Sequence, residues 1–164
     1  MSWNTRVETP SDVELLRTLT RDAFGRQFEV DFLDAHRADP DAWIPGLMFV
    51  ATGPDDRPVG YALLTRCHVG DVPILSLGPV AVLPAYQGQG VGGAAVRAAL
   101  AAARERTEPA VVVLGHDTYY PRFGFRQATG FGIHHPQYDG PSMMALALGN
   151  EPVPAGTLTY PVEV

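Results

Sequence analysis

The sequence contains no lysine, and all 12 of its basic side chains are arginines. This absence excludes a phosphate-binding loop of the kind that ends in Gly-Lys-Ser or Gly-Lys-Thr, because that loop contacts phosphates through its lysine. It also excludes covalent catalysis through a Schiff base, which requires a lysine amine. Phosphate binding by a lysine-containing loop and catalysis through a Schiff base are therefore both excluded.

Cysteines and long apolar runs are also scarce. Cys67 is the one cysteine among the 164 residues, so no internal disulfide can form. No stretch approaches the roughly 20 apolar residues that a membrane-spanning helix needs, and residues 1–6 lack the apolar core of a signal peptide. We therefore expect a cytoplasmic protein without a membrane partner.

Positive charge is in short supply, since the formal net charge is -6. This balance argues against a nucleic-acid partner, which would require clustered positive charge. The acidic excess lies in residues 1–60, which hold 11 acidic and 6 basic side chains, against 7 and 6 in the remainder. These residues either form a solvated acidic face, which is the favoured interpretation, or attract a cationic substrate.

The length and the hydrophobic pattern predict one domain over residues 1–164. A capping box, with Ser11 at the N-cap and Glu14 three residues later, predicts the start of a helix whose apolar stripe includes Leu16, Leu19 and Phe24. The predicted elements are strands over 3–8, 47–52, 59–69, 74–82, 110–114 and 143–148, and helices over 11–24, 30–38 and 91–106. This order indicates an α+β domain around a central mixed sheet.

A glycine-rich segment joins the strand over 74–82 to the alanine-rich helix. Gly88, Gly90, Gly92 and Gly93 fall within six residues, just before and at the start of that helix. The first N–H groups of a helix lack partners and carry partial positive charge, and glycines let a phosphate approach the backbone closely. The segment therefore predicts a site for a pyrophosphate.

The same glycines also match the fingerprint of nicotinamide-dinucleotide binding. Gly88, Gly90 and Gly93 have its spacing, and Asp117 follows about two dozen residues later. However, that fingerprint requires the first glycine at the immediate end of a strand, and here five residues that include Pro84 intervene. The spacing therefore disfavours NAD, although a nicotinamide-dependent oxidoreductase stays an alternative.

Two motifs resemble the GNAT superfamily of N-acetyltransferases. The first is similar to the superfamily's acetyl-CoA segment and reads Val82-x-Pro84-x-x-Gln87-Gly88-x-Gly90-Val91-Gly92. The second follows one helix and one strand later, is similar to an aromatic-Tyr-x-x-x-Gly-Phe element, and runs from Leu114-Gly115-His116 through Tyr119-Tyr120-Pro121-Arg122-Phe123-Gly124-Phe125. The weaker resemblance extends over residues 11–148. The second motif resembles a branch of small bacterial enzymes.

The resemblance implies the GNAT acyl-CoA N-acyltransferase fold, with a central mixed, mostly antiparallel sheet flanked by helices. It implies acetyl-CoA as cosubstrate and a small-molecule or peptide amine as acceptor, and it is compatible with a homodimer. The residues implied to bind the cofactor, through backbone groups, are Val80, Ala81 and Val82 for the pantetheine arm and Gln87, Gly88, Gln89, Gly90, Val91 and Gly92 for the pyrophosphate. Gly78-Pro79 fits a bulge in this strand, because Pro79 donates no hydrogen bond.

Tyr120 aligns with the residue that acts as general acid in the family. A phenol, with an ordinary pKa near 10, is a suitable proton donor to the thiolate that leaves when an amine attacks the thioester. The alternative role for Tyr120 is that of a packed aromatic. A general base is not evident: Glu29, Asp31, His116 or a chain of water molecules are the candidates.

Three further interpretations complete the prediction. Cys67 is expected to be a buried small apolar residue rather than a carrier of a covalent acetyl group. The pair His134-His135 has no further ligands at suitable spacing, so no metal site is predicted. A domain that senses acyl-CoA without turnover is an alternative to an enzyme, and Tyr120 favours the enzyme.

Overall fold

The computed structural model describes residues 3–149 and 151–162. In these residues the chain forms nine strands and three α-helices. The strands are β1 (Asn4–Val7), β2 (Met48–Thr52), β3 (Pro58–Val69), β4 (Val72–Val82), β5 (Ala110–Leu114), β6 (Arg126–Gln127), β7 (Ile133–His134), β8 (Met143–Ala147) and β9 (Gly156–Thr159); the helices are α1 (Val13–Phe24), α2 (Phe28–Ala38) and α3 (Val91–Glu105).

The strands form one mixed, mostly antiparallel sheet, which confirms the predicted α+β fold. Its order is β1-β2-β3-β4-β5-β8-β6, while β9 pairs with both β3 and β7. The pairs β4–β5 and β7–β9 are parallel, and the others are antiparallel. Because β4 and β5 are parallel, α3 is the crossover helix between them, and its first turn lies beyond the carboxyl end of β4.

Helices cover both faces of the sheet, as the alternation of side chains along β3 requires. On one face, Ala62 and Leu64 pack in a core with the α3 alanines Ala95 and Ala99. On the other face, Tyr61 and Leu63 pack in a separate core with residues of α1 and α2, among them Leu16, Leu19 and Leu33. The short side chains of α3 let this helix lie close to the sheet, where a Cβ added at Gly60 would come within 2.6 Å of Val91.

Strand β4 parts from β5 halfway along its length. The two strands are paired only from Leu75 to Leu77. At the same level the pairing of β3 with β4 shifts register between Ala62 and Leu64, opposite the segment that contains Gly78 and Pro79. The predicted bulge at Gly78-Pro79 is thereby confirmed. Within the described part of the chain, residues 78–82 consequently have no strand partner on the β5 side.

The start of α1 differs from the prediction. The capping box predicted at Ser11 and Glu14 is wrong, because the box lies two residues earlier and is formed by Thr9 and Asp12. Asp12 accepts a hydrogen bond from the Thr9 backbone N–H at 2.7 Å and pairs with Arg6 at 2.7 Å. The hydrogen bond from Arg6 lowers the pKa of Asp12 and keeps its carboxyl ionised, and an ionised carboxylate is favourable at a helix start. A short 3₁₀ turn over Pro10–Asp12 precedes α1.

Two smaller corrections concern α2 and β4. Helix α2 begins at Phe28, two residues before the predicted start. Strand β4 begins at Val72, so Pro73 lies inside the strand, where it pairs with His68.

Phe24, which the prediction placed on the apolar stripe of α1, is 37% exposed. Among the described helices, none has both the length and the apolarity to cross a membrane.

Candidate active site

A cleft opens where β4 is followed by the glycine-rich loop and α3. A 3₁₀ turn over Pro84–Tyr86 leads into this loop. Gly88 and Gly90 have φ angles of 76° and 86°, and a Cβ at either position would meet no atom within 4 Å. Glycine is therefore required there by the left-handed backbone and not by crowding, and the space above both backbones is open. The Trp3 indole N–H holds the loop by donating to the Gln89 carbonyl oxygen at 2.9 Å.

The cleft encloses about 720 Å³ and contains most of the residues that the sequence predicted for the cofactor. The structure brings together there Val80, Val82, Gln87, Gly88, Gly90, Val91, Gly92 and Tyr120. It does not bring Ala81 or Gln89 into the lining. Ala81 is buried in the core on the opposite face of β4, because side chains alternate along a strand. The Gln89 side chain donates to the Ala85 carbonyl oxygen at 3.2 Å.

The sequence analysis assigned no role to two arginines of this cleft. Arg97 and Arg122 both line it. The Arg97 guanidinium lies 5.1 Å from the centre of the Phe123 ring, and the Arg122 guanidinium lies 4.2 Å from that of Tyr119. Arg97 follows Gly93 by four residues and therefore lies on the same face of α3, a spacing that could have identified it.

Gln87 also lines this cleft, but its side chain carries no formal charge. Its side-chain N–H donates to the carbonyl oxygen of Val82 at 3.1 Å. The side chain thus ties the loop to the end of β4, and the positive charge of the cleft comes from the two arginines and from the start of α3.

Tyr120 begins the 3₁₀ turn Tyr120–Phe123, which follows β5. Its half-buried ring lies at 5.1 Å from the Tyr119 ring and at 5.9 Å from the Phe125 ring, both in edge-to-face contact. Burial raises the pKa of Tyr120 to about 12. A Cβ added at Gly115 would come within 2.5 Å of the Tyr120 ring. Glycine at position 115 therefore permits this placement of the phenol.

A second cavity, of about 350 Å³, lies on the other side of Tyr120. It is bounded by α1 and α2, by the bulged part of β4, and by the segment after β5. Its lining comprises Phe24, Phe28, Glu29, Phe32, His36, Ser76, Leu77, Gly78, Pro79, Val80, Leu114, Gly115, His116, Tyr120, Tyr138 and Tyr160. Three residues, Val80, His116 and Tyr120, border both this cavity and the cleft. The two spaces therefore meet at Tyr120.

The three candidate bases have different positions. Glu29 lines the second cavity and forms an ion pair with Arg26, which lowers the pKa of the Glu29 carboxyl. A carboxylate with a lowered pKa is a weaker base. Asp31 lies outside both lining sets and accepts a hydrogen bond from Gln27 at 3.1 Å. His116 borders both spaces, as Tyr120 does. Of the three candidates, it is the one that lies beside Tyr120 where the two spaces meet.

His36 is a lining residue that the sequence analysis missed. It is 3% exposed, and its Nδ1 lies 2.8 Å from the Phe32 carbonyl oxygen. Burial lowers its pKa, so the ring is neutral near pH 7, with the proton on Nδ1 and the lone pair on Nε2. The signal was present, because Phe28, Phe32 and His36 recur every four residues and so share one helix face.

Two other sequence expectations can be placed. Cys67 is fully buried, as predicted, and burial raises the pKa of its thiol. His134 pairs with Asp139 at 3.3 Å, and His135 stacks on Tyr138 at 4.5 Å between ring centres. Across residues 3–149 and 151–162, no three His, Cys, Asp or Glu side chains are grouped in a way that could hold a metal ion.

Sequence comparison connects this geometry to known proteins. The model of the Acetyltransferase (GNAT) family matches residues 14–125. An uncharacterized N-acetyltransferase of Escherichia coli K12, YjhQ, is 38% identical over 124 residues, which cover 73% of this chain and 67% of YjhQ. A second one from the same strain, YhbS, is 32% identical over 132 residues, which cover 79% of this chain and 75% of YhbS.

Comparison with solved structures gives the same fold. The crystal structure of E. coli YhbS in complex with CoA has a TM-score of 0.85, with 26% identity, and the match covers 96% of this chain and 89% of that one. The crystal structure of a GNAT family acetyltransferase from Brucella melitensis in complex with acetyl-CoA has a TM-score of 0.78, with 31% identity, and the match covers 97% and 96% of the two chains.

Proposed function

The chain belongs to the acetyltransferase (GNAT) family, and we propose that it transfers the acetyl group of acetyl-CoA to the nitrogen of a primary amine. The observation that carries this proposal is the position of Tyr120, which borders both the cleft at the start of α3 and the cavity beside α2. One space suits the cofactor and the other the acceptor, and the phenol lies where they meet. We propose further that residues 1–164 form a single acetyltransferase domain, since the sheet continues beyond the matched segment to β9.

The cleft has the chemistry that a pyrophosphate requires. Gly88 and Gly90 leave the backbone open to an approaching phosphate, and the N–H groups of the first turn of α3 supply donors and partial positive charge. Arg97 and Arg122 add two formal positive charges at the lining. Arginine is well suited to phosphate because its planar group can donate two parallel hydrogen bonds.

The open edge of β4 suits the pantetheine arm. From Gly78 to Val82 the strand has no partner on the β5 side within the described residues. An extended chain with amide groups can add to such an edge through backbone hydrogen bonds, as an additional strand does. Residues Val80, Ala81 and Val82 would serve through their backbone, so burial of the Ala81 side chain is compatible with this role.

The reaction needs one proton delivered and one removed. The amine lone pair forms a C–N bond with the thioester carbonyl, and collapse of the tetrahedral intermediate breaks the C–S bond. The departing thiolate takes the proton of the Tyr120 hydroxyl. The attacking nitrogen loses a proton to His116 or to water, from which the Tyr120 phenolate is reprotonated. The burial that raises the pKa of Tyr120 keeps its hydroxyl protonated, and therefore able to donate, at neutral pH.

Ligand-dependent stability provides the test for the cofactor. Acetyl-CoA at 100 times its dissociation constant is expected to stabilise the folded protein by about 2.7 kcal/mol. For a domain of this size, this corresponds to a rise in Tm of about 5–11 °C. NAD at the same concentration should leave the Tm unchanged, because the five residues between β4 and Gly88 do not fit its fingerprint. A rise with NAD and none with acetyl-CoA would defeat the proposal.

A further inference from the structure

The cavity beside α2 carries information about the acceptor. Phe24, Phe28 and Leu114 are 37, 50 and 43% exposed, although each is large and apolar, and all three line this cavity. Exposed apolar side chains gathered around a concave site indicate an apolar ligand, because its binding removes their surface from water. Phe32, Leu77 and Tyr160 extend the same character inward, together with the neutral ring of His36.

The cavity has a single formal charge among its described lining residues, the carboxylate of Glu29. Arg26 donates to both of its oxygens, at 2.8 and 2.5 Å. An ionised carboxylate offers about four acceptor positions, so Glu29 can also receive an ammonium. The Arg26 guanidinium lies 5.7 Å from the centre of the Phe28 ring, which shows that a cation next to Glu29 can also rest on an aromatic face.

The rest of the lining restricts what the amine can carry. No arginine is among the described lining residues of this cavity, so a carboxylate or phosphate held against this lining would lose water without gaining a counter-charge from it. A second ammonium would share the one carboxylate with Arg26 and with the first ammonium. Either unpaired charge weakens binding strongly. The volume of about 350 Å³ is near the lower end of the range for small-molecule sites, and the acetyl end of the cofactor must share it.

We propose that the acceptor is a small primary amine attached to an apolar aromatic or aliphatic body, with no second formal charge. This inference rests on the proposed acetyl transfer at the same site. Glu29 holds the ammonium until one proton passes to water and leaves the neutral amine that attacks the thioester, and the rings of α1 and α2 cover the apolar body. Amino acids and polyamines are correspondingly poor acceptors.

Two matched pairs of amines test the proposal on the unmodified protein, with acetyl-CoA and detection of released thiol. Phenethylamine and phenylalanine differ by a carboxylate, and pentylamine and 1,5-diaminopentane differ by a second amine. We expect kcat/KM to be at least about tenfold higher for the first member of each pair, which corresponds to about 1.4 kcal/mol. Equal or higher values for phenylalanine or 1,5-diaminopentane would overturn this inference and leave acetyl transfer standing. If none of the four amines leads to thiol release, both this inference and the proposed acetyl transfer are overturned.

Variants of α2 locate the effect. Glu29→Gln should raise the KM for phenethylamine about tenfold and leave the KM for acetyl-CoA unchanged, while Asp31→Asn, two residues away on the same helix and outside the cavity, should change neither. Phe28→Ala should raise the KM for phenethylamine more than the KM for pentylamine, because it removes a ring-to-ring contact that only phenethylamine can make. An unchanged KM for phenethylamine in Glu29→Gln would contradict the assigned role of this carboxylate. The amine pairs decide the proposal even if a variant fails to fold.

Discussion

The variant Tyr120→Phe is expected to retain its fold and its affinity for acetyl-CoA while kcat falls by about 10²- to 10⁴-fold, the range for loss of a general acid. The ring contacts with Tyr119 and Phe125 do not involve the hydroxyl group, so packing should persist. What is lost is the proton for the departing thiolate. Steady-state kinetics with saturating acetyl-CoA and amine, together with the Tm of the variant, provide the measurement.

Tyr119→Phe is the matched control for this experiment. Tyr119 is the neighbouring phenol and lines the cleft but not the cavity. The kcat of Tyr119→Phe should stay within about tenfold of that of the unmodified protein, because the Tyr119 proton is not used in the reaction. An unchanged kcat in Tyr120→Phe would reduce Tyr120 to a packing residue and assign proton delivery to water.

The raised pKa of Tyr120 predicts how kcat depends on pH. The pKa of Tyr120 is raised to about 12, so the proton-donating form persists at all pH values below that. We expect no loss of kcat from ionisation of Tyr120 up to pH 10. A loss centred near pH 10 that is absent from Tyr120→Phe would show that the phenol titrates at its ordinary pKa.

The variant Gly90→Val is expected to weaken acetyl-CoA binding by about 100-fold or more. Gly90 has a φ of 86° and open space where a side chain would project. A valine there would fill the approach of the phosphate to the start of α3 and remove charge-assisted hydrogen bonds worth about 1.5–3 kcal/mol each. Isothermal titration with acetyl-CoA measures the effect directly.

Gly70→Val separates the loss of binding from backbone strain. Gly70 also has a positive φ, 57°, with no atom within 4 Å of a Cβ position, but it lies in the turn between β3 and β4, away from the cleft. Both variants should lose stability, since valine is disfavoured at positive φ, and only Gly90→Val should lose affinity. Equal affinity in the two folded variants would place the cofactor elsewhere.

The parts of the site that the sequence predicted are those set by local backbone requirements. Gly88 and Gly90 adopt conformations that other residues avoid, so their pattern can be recognised without knowledge of the fold. Gly78-Pro79 is similar, because Pro79 cannot donate to a neighbouring strand, and the observed register shift falls at this point. The turn that presents Tyr120 also lies within one short segment, from Leu114 to Phe125.

The cavity beside α2 could not be predicted in the same way, because its walls are distant in sequence. Phe28 on α2, Val80 on β4 and Tyr160 after β9 line the same cavity. Tyr160 is brought there by the pairing of β9 with β3, and a strand of four residues with that partner has no distinctive local pattern. Phe24 illustrates the same limit. Its spacing on α1 suggested the core, whereas its place at the end of the helix leaves it at the rim of the cavity.

The central claim is tested most directly by following thiol and amide together. The unmodified protein is incubated with acetyl-CoA and phenethylamine, released CoA thiol is measured, and the acetylated amine is quantified by mass spectrometry. Because the chain has no lysine and Cys67 is fully buried, self-acetylation contributes little to the thiol signal. We predict amine-dependent release with one N-acetylated product for each CoA. If acetyl-CoA binds tightly but neither phenethylamine nor any of the other three test amines is acetylated, the result contradicts the account and indicates a sensor of acyl-CoA.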